Sequence, residues 1–298
     1  MQIEVTKVRD FQGHRDAVFS LCLTPSGFIS AGGDGFIVEW SWDSEDGTML
    51  AKEEESIYSL EFHEENQFLL AGTRKGHILV LDYKAKNIIK RIEAHQGGIF
   101  GFVPMSTGYL SYGEDGWVKH WNKHFELVDQ IRVAQRSVRC AVFINVEQII
   151  LGTSDHTIVV FNPMEFKKAF EWKAHENSVF GLAKGGSRIY SAGRDALLKS
   201  WNTEDWVEEW SVPAHMYTIH GLDFNPKNHL LISSSMDKTI KIWDTRKNKL
   251  LKVVDYERYE SHANCVNKVL WIDSNRFISC SDDRKICLFN VDISDQEA

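Results

Sequence analysis

Proline is scarce in this chain, at 5 of 298 residues, and charged residues stop at 26% against 43% apolar ones. That balance excludes the polar, core-poor composition of a disordered polymer. Missing too is any uninterrupted apolar run near the ~18 residues that a membrane span needs, and the opening MQIEVTKVRD holds no apolar signal segment. With no N-x-S/T acceptor either, the expectation is a cytoplasmic protein with no membrane partner. Cations are outnumbered: the formal charge of −8 argues against nucleic acid, whose backbone is gripped by clustered Lys and Arg. The five cysteines (Cys22, Cys140, Cys265, Cys280, Cys287) are odd in number and show no C-x-x-C spacing, so they read as reduced core thiols. No G-x-x-x-x-G-K-[ST], G-x-G-x-x-G or G-x-S-x-G string occurs, which removes phosphate-cradling loops and the usual nucleophile elbow.

What the chain has is a repeat. Seven windows of fifteen residues stack without gaps, from GFISAGGDGFIVEWS ending at Ser41 to RFISCSDDRKICLFN ending at Asn290. The ends fall at 41, 82, 122, 162, 202, 244 and 290, so the spacing runs from 40 to 46 residues. A period of about 40–45 residues is that of one four-stranded propeller blade. Each window has an apolar stretch, a small-residue turn around an Asp, and then period-two alternation such as Ile240-Lys241-Ile242-Trp243, which is a hairpin. Upstream, each repeat carries another short strand that starts at Val18, Ile57, Ile99, Val138, Val179, Ile219 or Val266. Downstream lies a fourth, such as LLKVV at 250–254. Only VDISDQEA follows the last window, too short and acidic to be a fourth strand, whereas residues 2–11 read like the fourth strand of other repeats. The expectation is an all-β, seven-bladed propeller, a single domain over residues 1–298, with the last blade closed by the N-terminal strand.

These repeats resemble the WD40 family over residues 2–291, by spacing more than by letters: Trp243-Asp244 is the one Trp-Asp pair in register and Gly13-His14 the one Gly-His connector. In that family a connector His, a strand Ser or Thr, a turn Asp and a strand Trp form a buried hydrogen-bonded set. The resemblance implies such sets at His14, Ser30, Asp34 and Trp40; at His95, Ser111, Asp115 and Trp121; at His175, Ser191, Asp195 and Trp201; and at His215, Ser233, Asp237 and Trp243. A fifth, His262, Ser279 and Asp283, ends in Phe289, which has no N–H to give. Repeats two and four lack the His and also the Ser, with Glu55 and Ala71 in one and Gln135 and Leu151 in the other. Joint loss is what buried hydrogen bonding requires, because an orphaned Ser costs roughly 1–3 kcal/mol. Fivefold repetition also marks these His, Ser and Asp residues as structural, not as a nucleophilic triad. Five of the twelve histidines are thereby assigned, and His120 with His124 would straddle a strand and its turn, so neither a metal, a cofactor nor a catalytic residue is expected.

The resemblance also implies that the first strand of each blade lines a central channel and that its first residues reach the mouth. The residue after each leading Val or Ile is Phe19, Tyr58, Phe100, Arg139, Phe180, His220 or Asn267. Four aromatics and an Arg among seven equivalent positions are types that dominate interface energies. Against this stands the reading that the rings merely fill the space between blades. A second ring, the residue before each turn Asp, is Gly33, Arg74, Glu114, Ser154, Arg194, Met236 and Asp282. Its variation in charge suits either partner recognition or simple solvation. The run Glu53, Glu54, Glu55 with Glu64 and Glu65 reads as a solvated loop or as an attraction for a basic partner. The functional expectation is a non-catalytic scaffold that binds a protein or peptide at the mouth, the partner presenting a basic side chain to the aromatic ring. The alternatives are a small-molecule sensor, an atypical propeller enzyme, or a structural subunit docking through a blade edge.

Overall fold

Each fifteen-residue window folds as an antiparallel hairpin. In the third repeat Gly108–Gly113 pairs with Trp117–Asn122, placing Tyr109 opposite Trp121 and Ser111 opposite Lys119. The turn closes through a left-handed residue in every repeat: Gly35, Gly76 and Gly116 in the first three, then His156, Ala196, Lys238 and Arg284. Gly35 also has no room for a side chain, since a Cβ there would stand 2.1 Å from the Glu53 carbonyl oxygen.

The computed structural model describes residues 2–294. Met1 and residues 295–298, the end of the acidic tail, lie outside the described residues. Within them the chain forms seven four-stranded antiparallel sheets, and the first strands (Val18–Thr24, Ile57–His63, Ile99–Met105, Val138–Asn145, Val179–Gly185, Ile219–Asn225 and Val266–Trp271) touch one another in sequence around a closed ring. Second strands such as Leu230–Ser235 are buried throughout, while fourth strands such as Lys167–Lys173 are mostly exposed. A short capped helix, Tyr256–Tyr259, accounts for the longest spacing, between blades six and seven.

The fourth strand of the last blade is N-terminal. Gln2–Gln12 runs antiparallel to Lys285–Ser294, from Gln2 opposite Ser294 to Gln12 opposite Lys285, with one register shift between Lys7 and Arg9. Ile3, Val5 and Phe11 are its buried side chains. Phe11 packs edge-on against Phe28, 4.9 Å between centroids, and against Trp40 at 5.6 Å, so this strand joins blade seven to blade one.

In each of the four complete sets the Ser hydroxyl sits between the ring nitrogens of His and Trp. Ser191 Oγ is 2.7 Å from His175 Nε2 and 2.8 Å from Trp201 Nε1, and His175 Nδ1 is 2.9 Å from Asp195. The same distances for Ser30, Ser111 and Ser233 run from 2.7 to 3.0 Å. Because a carboxylate can only accept, Nδ1 carries the proton, Nε2 accepts from Ser, and Ser accepts from Trp. Burial works to raise the pKa of Asp34, Asp115, Asp195, Asp237 and Asp283, but the His hydrogen bonds and backbone amides outweigh it and hold all five below the usual carboxylate range. In the fifth set His262 Nε2 is 2.8 Å from Ser279 Oγ, and Phe289 stacks on Phe277 instead of donating.

Blade two replaces the set with one of opposite polarity. Glu55 occupies the His position and Lys75 the Asp position, and the Lys75 amide donates to Glu55 at 3.3 Å. Arg91 bridges Glu55 at 2.7 Å and Glu53 at 2.6 Å, with His77 Nδ1 3.1 Å from Glu55. The solvated-loop reading of the glutamate run is therefore corrected at Glu55, which is buried, and at Glu53, which is half-buried, while Glu54, Glu64 and Glu65 are exposed. Paired burial of this kind needs a cation on the neighbouring fourth strand, which a local charge pattern does not reveal.

Two further carboxyls lie on first strands. Burial pushes Asp223 up to about 6 even though it accepts from the amides of Trp271 at 2.7 Å and Phe224 at 3.0 Å. Burial also pushes Glu61 up to about 7, against the opposing charge of Lys268. Glu61 then keeps its proton in the folded state between its ordinary value near 4.5 and about 7, where the unfolded chain has released it. Stability is accordingly lost as pH rises through that window, by up to about 3 kcal/mol above it. Glu61→Gln should raise the melting temperature by several degrees at pH 8 and by almost nothing at pH 4. An equal gain at both pH values would refute the assignment.

Candidate functional site: the channel mouth

The first-ring residues owe their direction to a repeated irregularity. In all seven blades the pairing of first and second strands slips between the leading Val or Ile and the residue two further on, as between Ile99 and Gly101 or Val266 and Lys268. Phe19, Tyr58, Phe100, Arg139, Phe180, His220 and Asn267 are the extra residues of these bulges. A bulge bends the strand and re-aims the side chain. All seven are half-buried and line one open cavity of about 490 Å³, together with Arg74 and Glu114. Below it the channel continues as a space of about 270 Å³, reached by Tyr112, Cys140 and Lys268. Gly181 and Gly221 line it, and Gly101 has no room for a side chain, since a Cβ there would lie 2.1 Å from the Tyr112 hydroxyl.

The second ring is held beside the first by one hydrogen bond per blade. The amides of Gly33, Arg74, Glu114, Ser154, Arg194, Met236 and Asp282 each donate to the carbonyl just before the leading Val or Ile, at 2.8–3.1 Å. Its side chains then part company. Ser154 is buried and accepts from Arg139 Nε at 2.8 Å. Asp282 accepts from the Asn267 amide at 2.8 Å, and Glu114 from the backbone of Gly98 at 3.0 Å. Arg74 faces the cavity, whereas Arg194 and Met236 are exposed outside its lining.

The aromatic ring is not empty. Phe19 meets Tyr58 edge-on at 5.4 Å, Tyr58 stacks on Phe100 at 6.0 Å, and Phe180 lies 5.4 Å from the His220 ring. Between Phe100 and Phe180 stands the guanidinium of Arg139, 4.6 Å from one centroid and 5.1 Å from the other. The expected cation–π site therefore already holds a cation of the chain itself, and a partner's Lys or Arg would meet like charge there. Burial lowers the Arg139 pKa, with Glu114 opposing, yet a guanidinium stays charged at any working pH. His220 is likewise lowered by burial, against the pull of Asp282.

Sequence reasoning named Met236 but passed over its apolar neighbours Met216 and Tyr217 at the rim of blade six. Met216 is 80% exposed, Tyr217 61% and Met236 53%, and the Met236 amide reaches the Thr218 carbonyl at 2.9 Å, which sets these residues side by side. The signal was legible: Met-Tyr follows His215 where Arg-Asp follows His14 and Glu-Asn follows His175. Lys268 was also missed, because other blades put Ser, Gly or Cys at that place. Among the described residues no group of three metal-ligating side chains gathers, and no helix is long and apolar enough to cross a membrane. The five cysteines are free, and burial pushes the thiols of Cys22, Cys140 and Cys265 up to about 12.

Comparison with known proteins agrees with this architecture. The family model described as "WD domain, G-beta repeat" matches residues 5–41, 206–244 and 254–290. A DDB1- and CUL4-associated factor 11 homolog of Caenorhabditis briggsae is 36% identical over 123 residues, which is 37% of this chain and 22% of the relative. Human pre-mRNA-processing factor 17 is 31% identical over 127 residues, 41% of this chain and 20% of that one. The mouse intraflagellar transport protein 80 homolog is 23% identical over 238 residues, 74% of this chain and 30% of the relative. The matches thus span less than a third of these proteins' own lengths. The crystal structure of the WD40 β-propeller domain of Doa1 superposes with a TM-score of 0.86 at 19% identity, covering 96% of this chain and 97% of that one. Three repeats match the model directly, and seven four-stranded blades in a closed ring give the chain the fold of a WD40-type β-propeller.

Proposed function

We propose that the chain is a non-catalytic interaction module that takes a protein or peptide segment across the channel mouth. The observation that carries this reading is the convergence of all seven bulged residues, four of them aromatic, on one open cavity of about 490 Å³. Repetition explains the bulge, but not why its side chains are large and half-exposed instead of small. Exposed Met216, Tyr217 and Met236 beside the mouth add apolar area that a monomer gains nothing by showing to water. The relatives bear on the same reading: one is named as an associated factor of DDB1 and CUL4, another for pre-mRNA processing. Both names suit assembly with other macromolecules.

The test is affinity capture from the native cell with the wild-type chain and with a Phe100→Ala plus Phe180→Ala variant. Aromatic anchors of this kind contribute roughly 2 kcal/mol or more, so recovery of the partner should fall at least about tenfold. Equal recovery by both would place binding elsewhere on the propeller.

A further inference from the structure

The mouth has a local sign opposite to that of the whole chain. Net charge is −8, yet the mouth and its rim carry Arg74, Arg139 and Arg194, with Lys268 deeper in the channel. The facing carboxylates are Glu114, Asp282 and, against Gly33, Asp16, and they are engaged by the Gly98 amide, Asn267 and the Ala17 amide in turn. Among the described residues no carboxylate comes within ion-pair distance of any of the three arginines. Arg139 is the telling one. Its Nε is fixed by Ser154 and its guanidinium carbon lies 4.6 and 5.1 Å from the Phe100 and Phe180 centroids, while among the described residues the other two nitrogens of its fork have no partner.

Holding a guanidinium this way has a physical consequence. The clamp removes the rotamer freedom that a surface Arg surrenders on binding, and partial burial strengthens any ion pair it makes. A planar fork whose two terminal nitrogens are left unbonded fits one chemistry best, a carboxylate accepting from both. We propose, resting on the mouth reading above, that the partner segment presents an aspartate or glutamate side chain that seats on Arg139, with Arg74 and Arg194 steering it. This reverses the sign of the partner expected from composition. The acidic chain repels such a segment at long range, so the selectivity arises at contact, from the three arginines.

The probe is a displayed library of heptapeptides randomised at all seven positions and selected on the whole chain, followed by synthesis of the best binder. An acidic residue should dominate one position, and its replacement by glutamine should weaken binding at least tenfold. Arg139→Gln should abolish the preference and Arg139→Lys should keep part of it, each variant being checked for an unchanged thermal melt. Arg74→Gln and Arg194→Gln, both at exposed rim positions, should weaken binding about twofold each and flatten its salt dependence. Peptides that need Phe100 and Phe180 but carry lysine or no charge at the selected position would overturn the acidic partner and leave the mouth standing. Phosphoserine outperforming glutamate tenfold at that position would likewise overturn the carboxylate. Selection of peptides that bind the Phe100→Ala plus Phe180→Ala variant equally well, or of none at all, would sink the mouth reading itself.

Discussion

Deleting residues 1–12 should leave no soluble, folded monomer, and adding a synthetic peptide of residues 1–12 should restore one. The strand contributes Ile3, Val5 and Phe11 to the core, each about 1.5–3 kcal/mol of burial, before its ladder with Lys285–Ser294 is considered. Their sum is comparable to the whole stability of a typical domain, about 5–15 kcal/mol. Its removal also opens the edge of Lys285–Ser294, a row of unpaired backbone groups ready to template aggregation. Phe11 makes the loss worse than that of an outer strand in another blade, because it bridges to Phe28 and Trp40 of blade one and so holds the two ends of the ring together. Phe11→Ala alone should cost about 3–5 kcal/mol in a denaturant titration. Size-exclusion chromatography and circular dichroism of the truncated chain with and without the peptide decide the matter. A truncated monomer that melts like the full chain would show that the ring does not depend on this closure.

The closure was readable because it rests on arithmetic: seven hairpins at a near-constant spacing need a last fourth strand, and one such segment was left over at the N-terminus. The leading Val and Ile of each first strand were equally legible, since the repeat itself aligned them. The site was legible only as positions. That Phe19, Tyr58, Phe100, Arg139, Phe180, His220 and Asn267 share one mouth followed from equivalence, whereas the clamping of Arg139 between Phe100 and Phe180 depends on contacts across three blades. Such contacts join residues about 40 positions apart through side-chain rotamers, and no local pattern encodes a rotamer. The same reason hid the Arg91 bridge to Glu53 and Glu55, where two members of an acidic run that looked solvated are paired from a strand some 36 residues on. Composition could not reveal the local charge at the mouth, for a total of −8 says nothing about the three arginines that gather at one rim.

Ser191→Ala should cost more than Ser279→Ala, although both remove the same hydroxyl from the same place in a blade. Ser191 serves two partners, and its loss orphans the Trp201 N–H and the His175 ring nitrogen together. Ser279 serves only His262, because Phe289 has nothing to donate. With each buried orphan worth about 1–3 kcal/mol, the difference between the two variants should be about 1–2 kcal/mol in urea unfolding. The same logic yields a coupling. In Ser191→Ala the imidazole loses its partner, and in His175→Ala the hydroxyl does, so the double variant is spared one orphan and should be more stable than the sum of the singles predicts, by about 1–3 kcal/mol. Acid should erase part of this: the bound Asp195 carboxylate holds its pKa below the usual range, so its stabilisation is full at neutral pH and is lost as pH falls through that lowered value. His175→Ala should therefore lose its destabilising effect progressively below pH 4, while Ser191→Ala keeps more of its own. Additive singles would mean that the sets are packed side by side without cooperating, and the joint absence of His and Ser from blades two and four would then need another cause.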